Sequence, residues 1–120
     1  MKAIEKLKIA KDILEQKFSK EIGLLSLNLV YKKLNIELHN GINIYIVYND
    51  YDEYSYSIVF SKLQLDRCRF DNYDDRWNVS SRPHHFHPRN VKDAIESTMT
   101  GFPNDDMVNL VKLLKSGKLN

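Results

Sequence analysis

Two alternating runs flank one dipeptide. Leu34, Ile36 and Leu38 alternate with polar residues, Asn40-Gly41 interrupts, and Ile42, Ile44, Ile46 and Tyr48 resume the alternation. A period of two sends the apolar side chains to one face of a pleated strand. Asn-Gly between such runs is the strongest short hairpin signal, and it predicts a type I′ turn with positive φ at both central residues. Asn49-Asp50-Tyr51-Asp52-Glu53 forms a second turn before Tyr54–Phe60, and a break near Ser61-Lys62 leads into Leu65–Phe70. Leu24–Tyr31 is either a separate strand or the start of a long bent one. The expectation is four or five antiparallel strands in meander order.

The flanking segments have a helical period. Ala3, Leu7, Ala10, Leu14 and Phe18 share a face, predicting a helix from Ala3 to about Lys20. Val91, Ala94, Ile95 and Met99 predict a short helix capped by Asn90. Met107, Leu110, Val111 and Leu114 predict a last helix, capped by Asn104 or Asp105 and stopped at Gly117. Asp71 to Asn90 lacks periodicity and holds turn formers, aromatics and prolines; a loop of that length in a compact domain usually has a job. The fold class is therefore α+β: an N-terminal helix, the sheet, a His/Arg-rich loop and two C-terminal helices, all in a single domain over residues 1–120.

Composition narrows the function. With 42% apolar and 28% charged residues the chain is ordinary globular rather than disordered. Its one cysteine, Cys68, excludes an internal disulfide and any cysteine-based zinc or iron–sulfur site. No apolar run is long enough to span a bilayer, and charge at Lys2, Glu5 and Lys6 interrupts the stretch a signal peptide needs, so a cytoplasmic protein with no membrane role is expected. A net charge of +2 is too mild to imply nucleic acid by itself.

The distribution of charge says more. All five arginines (Arg67, Arg69, Arg76, Arg82 and Arg89) fall between residues 67 and 89, and all thirteen lysines lie outside that window. His84, His85, His87 and the only tryptophan, Trp77, share it. Arginine is thus confined to the stretch where a planar, bidentate donor for phosphate is of use.

Two clusters can carry chemistry. In Arg82-Pro83-His84-His85-Phe86-His87-Pro88-Arg89, prolines keep the chain from helix, and an extended backbone points His85 and His87 to one face, His84 and Phe86 to the other. Two imidazoles beside guanidiniums suit proton transfer at a phosphodiester, one taking the ribose 2′-hydroxyl proton and the other protonating the leaving oxygen. They equally suit metal ligation, with His85 and His87 as nitrogen donors and Asp71 as a third. In Arg67-Cys68-Arg69-Phe70-Asp71-Asn72-Tyr73, a strand places Arg67 and Arg69 on one face with Asp71 at its end. Asp71 there orients a histidine or pairs with an arginine. Cys68 between two arginines is either a thiol of lowered pKa or a small buried side chain. Tyr54, Tyr56, Tyr73 and Trp77 are stacking surfaces for bases or ordinary sheet packing. A histidine-rich stretch between prolines can also be a plain loop, or one that docks a partner chain.

At Arg69-Phe70-Asp71-Asn72 and Arg82-Pro83-His84-His85-Phe86-His87 the sequence resembles the TumE family of toxins, over roughly residues 34 to 100. The family pattern is Arg-x-Asp-Asn after a strand, then Pro-His-His-x-His, then a short helical tail. Here Asp74-Asp75-Arg76-Trp77 lengthens the connection and a helix follows Pro103. The resemblance implies a small toxin of a type II toxin–antitoxin system, partnered by an antitoxin with a helix-turn-helix domain, with a homodimer also admitted. The expected activity is a metal-independent endoribonuclease with no cofactor. Its catalytic residues would be His85, His87, His84, Asp71, Arg69 and Arg82, and RNA would bind to Arg67, Arg76, Arg89, Tyr73 and Trp77. The alternatives are a metal-dependent enzyme or metal-binding domain on His85, His87 and Asp71, and a non-catalytic interaction module.

Overall fold

The computed structural model describes residues 1–119. Among these the chain runs α1 (Ala3–Lys17), β1 (Ile22–Asn28), β2 (Lys33–Leu38), β3 (Asn43–Tyr48), β4 (Tyr54–Val59), β5 (Arg67–Asp71), β6 (His85–His87), β7 (Ile95–Glu96) and α2 (Pro103–Ser116). The strands form one sheet in chain order, each antiparallel to the next. The α+β meander stands as expected, but with seven described strands rather than four or five.

The additional strands come from segments read otherwise. His85–His87 pairs with β5, so the His/Arg-rich stretch is a loop only up to that point. Residues 91–99 form no helix. Ile95 and Glu96 pair with Phe86 and His85, Ser97 N–H donates to Ser81 Oγ, and Val91 and Ile95 stay exposed. So short a segment cannot nucleate a helix without a buried face, whereas the open edge of β6 offers it hydrogen bonds directly. A single C-terminal helix therefore follows, entered through Pro103 rather than an Asn104 or Asp105 cap, and ended by Gly117 at φ 73°.

The Asn40-Gly41 hairpin is present with a different turn. Gly41 N–H donates to Leu38 O and Leu38 N–H to Ile42 O, closing a three-residue loop in which only Gly41 has positive φ (91°). This is the type I turn with a glycine bulge, which also suits the strand twist.

Alternation divides the sheet into two faces. Leu34, Ile36, Ile44, Ile46, Tyr54, Tyr56, Ile58, Cys68 and Phe70 are buried against Leu7, Ala10 and Leu14 of α1 and Met107, Leu110 and Val111 of α2. Tyr54 and Tyr56, weighed above as base-stacking surfaces, are fully buried core residues. Beneath the helices, Tyr56 Oη donates to Asp106 Oδ2 (2.6 Å) and shares a 2.9 Å hydrogen bond with Tyr48 Oη. The Asp106 carboxylate also accepts the backbone N–H groups of Thr100 (2.8 Å) and Gly101 (2.7 Å). Gly101 is held at φ 90°, where a Cβ would meet the Tyr54 ring at 3.2 Å. The turn before β4 anchors α1: Asp50 Oδ1 accepts the Ala3 N–H (2.9 Å), and buried Lys6 reaches Asp52 (3.2 Å). That backbone bond, with Lys32 beside it, holds the Asp50 carboxyl below the usual range.

Removing the Asp106 carboxylate leaves several buried donors unpaired. Asp106→Ala is expected to lose about 3 kcal/mol or more, and Tyr56→Phe about 1–3 kcal/mol, in urea unfolding. Asp66, after the β4–β5 turn, pairs with Arg89, whose hydrogen bond lowers the Asp66 carboxyl pKa. A lowered carboxyl stabilises the fold above its ordinary value and loses that contribution as pH falls through the folded value. Asp66→Asn should therefore melt below the parent protein at neutral pH, with the gap closing on acidification below about 3.8.

Candidate functional site

The face without helices bears a groove of about 640 Å³, running from Lys33 and Tyr45 on the central strands to Trp77 and His87. Its chemical end is fixed by strand register. In the β5–β6 pair, Asp71 faces His85, Phe70 faces Phe86, and Arg69 faces His87. Residues two apart share a face, so Arg69, Asp71, His85 and His87 make a four-residue tile opening to the groove. Phe70 and Phe86 stack on the other side, with ring centroids 4.3 Å apart, and lock that register from the core.

Within the tile, Asp71 and His85 are each 2% exposed. Arg69 Nε donates to Asp71 Oδ2. His85 Nδ1 donates to the Pro83 carbonyl (3.0 Å), which fixes the tautomer of the neutral ring and leaves the lone pair on Nε2. That Nε2 lies 2.5 Å from Asp71 Oδ1, a contact by distance alone: its direction is wrong for a hydrogen bond, and Oδ1 has no donor. His87 Nε2 is likewise buried and without a partner. Burial first, then the positive charge of Arg69, lowers the His87 pKa against the opposing pull of Asp71, so the ring is neutral at neutral pH.

Aromatic groups and further cations complete the groove. Trp77 stands edge-on to His87, centroids 5.3 Å apart, and Arg76 lies over the indole at 4.9 Å. Arg67, Arg76 and Tyr73 line the same space. Arg76 also reaches Asp74 at 3.0 Å, but both side chains are more than half exposed and the pair leaves the guanidinium open to water. Lys33, Tyr45 and Lys92 also line the groove and are among the residues that the sequence reading did not single out. Parity identifies Tyr45, which is out of phase with buried Ile44 and Ile46, and Lys33 sits 4.5 Å above its ring.

Other candidates lie elsewhere. His84 points away from His85 and His87, stacks on Tyr54 and shares a 2.9 Å hydrogen bond with its hydroxyl. Arg82 is bound to Asp75 and its carbonyl, each at 3.0 Å. Arg89 is held by Asp66 and lies 4.0 Å over Phe60. None of the three lines the groove. Cys68 is no activated thiol: alternation sends its neighbours' guanidiniums to the opposite face, and burial pushes its pKa up to about 12. Asn72 is a latch, accepting Tyr54 N–H (2.9 Å) and donating to Asp52 O (2.9 Å).

No helix among the described residues is long and apolar enough to cross a membrane. No curated protein and no solved structure matches the chain. The family model described as Toxin TumE matches residues 7–114, nearly the full length and both motifs at the groove. On that match the chain belongs to the TumE toxin family and is the toxin of a toxin–antitoxin pair.

Proposed function

We propose that this toxin acts on RNA, binding a single strand along the groove and cleaving a phosphodiester at the Asp71–His85–His87 end. One observation carries the reading: three arginines, two imidazoles and a buried carboxylate share one open cleft with aromatic side chains. Arg67, Arg69, Arg76, Lys33 and Lys92 supply positive charge for the phosphate backbone. Trp77, Tyr73 and Tyr45 supply faces for unstacked bases. Arg69, the half-exposed member of the tile, would stabilise charge on a phosphorane.

A metal-independent route, in which His85 and His87 carry no ion and exchange protons with the substrate, draws its support from His87. That ring is neutral at neutral pH and has an unpaired nitrogen. His85 is placed less well, being buried with one nitrogen on Pro83 and the other against Asp71. The resemblance adds an antitoxin with a helix-turn-helix domain as the partner that silences the cleft.

Binding of a short unstructured RNA should quench Trp77, the only tryptophan, and the affinity should fall with salt. Three to four phosphate contacts correspond to a loss of about two to three powers of ten per tenfold rise in salt. Asp71→Asn and His87→Gln should abolish growth arrest and RNA cleavage, while Lys112→Gln on the exposed side of α2 retains both. A wild-type protein that arrests growth yet neither binds nor cuts RNA would discard the proposal.

A further inference from the structure

We propose that Asp71 Oδ1, His85 Nε2 and His87 Nε2 form a binding site for one divalent transition-metal ion, zinc or a close relative. One ligand atom from each of the three residues already lies within 4.8 Å of the other two. Tetrahedral zinc with bonds of about 2.0–2.2 Å holds its ligand atoms about 3.4 Å apart, so the widest pair closes by up to about 1.4 Å while the 2.5 Å Oδ1–Nε2 pair opens by about 0.9 Å, movements that side-chain rotation supplies.

The hydrogen bonds around the cluster point the same way. Buried polar atoms are nearly always paired, yet Asp71 Oδ1 and His87 Nε2 both lack a partner. His85 Nε2 lies 2.5 Å from the same carboxylate oxygen and carries no proton on the neutral ring, because Nδ1 is the nitrogen that donates to the Pro83 carbonyl. Three acceptors thus converge with no donor among them, an arrangement that a bound cation resolves and a proton cannot resolve for all three. The outer contacts are those of a ligand set. The far nitrogen of a ligating imidazole commonly donates to a backbone carbonyl, as His85 does, and the far carboxylate oxygen is commonly held by a hydrogen bond, as Arg69 holds Oδ2 of Asp71. Two imidazoles and one carboxylate favour zinc, manganese, iron, cobalt or nickel over calcium and magnesium, which take mostly oxygen. The groove leaves the fourth position facing Trp77 and the arginines, where a phosphate oxygen or water can complete the coordination.

The site lies in the groove assigned above to RNA, so its use in catalysis rests on that reading, but the ion's binding does not. The test therefore uses metal alone. Full-length protein without a histidine tag is stripped with EDTA and titrated with zinc chloride by calorimetry, and with cobalt chloride by visible absorption. One saturable equivalent is expected, with a raised melting temperature and cobalt bands of a low-coordinate site. His87→Gln and Asp71→Asn should lose all three signals while keeping the parent far-ultraviolet circular dichroism. Imidazole NMR of the wild-type protein covers the case in which a variant fails to fold: zinc should shift His85 and His87 and leave His39 and His84 in place. Absence of saturable binding, or shifts confined to His39 or His84, overturns the proposal. RNA cleavage that persists in EDTA by a protein that binds no zinc would overturn the metal site while leaving the RNA reading intact. Stoichiometric zinc on a protein inert toward RNA would do the reverse.

Discussion

The pairing of β5 with β6 is the contact on which the cleft depends. It spans three residue pairs, and the middle pair, Phe70 against Phe86, stacks on the core side of the sheet. Because strand side chains alternate strictly, that aromatic contact dictates what the other side presents: Asp71 against His85, and Arg69 against His87. A slip of one residue would bury an imidazole against the core and turn a phenyl ring into the groove. The Arg-x-Asp-Asn and His-x-His spacings are therefore statements about register. Asn72 closes the arrangement by tying the end of β5 to the turn before β4.

The two faces of the sheet divide the physical work. On the helix side, aliphatic residues and the Tyr48–Tyr56–Asp106 network fill the space, and the buried carboxylate of Asp106 has several donors. On the bare side the buried carboxylate of Asp71 has one oxygen satisfied and one not. The two most deeply buried aspartates thus follow opposite rules. The satisfied one belongs to folding; the unsatisfied one lies on the proposed functional surface.

Much of this was legible in the sequence, and the failures have identifiable causes. Alternation at Leu34–Tyr48 revealed the hairpin, and alternation at His85 and His87 their common face. The same logic, applied to Tyr45 against Tyr54 and Tyr56, separates the groove tyrosine from the core ones. Local pattern failed where partners were remote. Arg82 and Arg89 looked available for RNA because Asp75 and Asp66, which hold them, lie 7 and 23 residues away. The segment 91–99 has a helical spacing of apolar residues, and only the unpaired edge of β6 decides against a helix. The orphaned lone pairs of the tile had no sequence signature, since they depend on which way each ring and carboxylate faces.

β6 is three residues long and is flanked on its outer side by a two-residue strand with exposed side chains. Two of the four tile residues, His85 and His87, thus ride on a short, weakly paired margin of the sheet, remote from the helix-covered centre. Local opening there needs far less free energy than global unfolding. The cleft can accordingly be dismantled while the hydrophobic interior stays closed, so an agent that peels back this margin would take the proposed site apart without denaturing the protein.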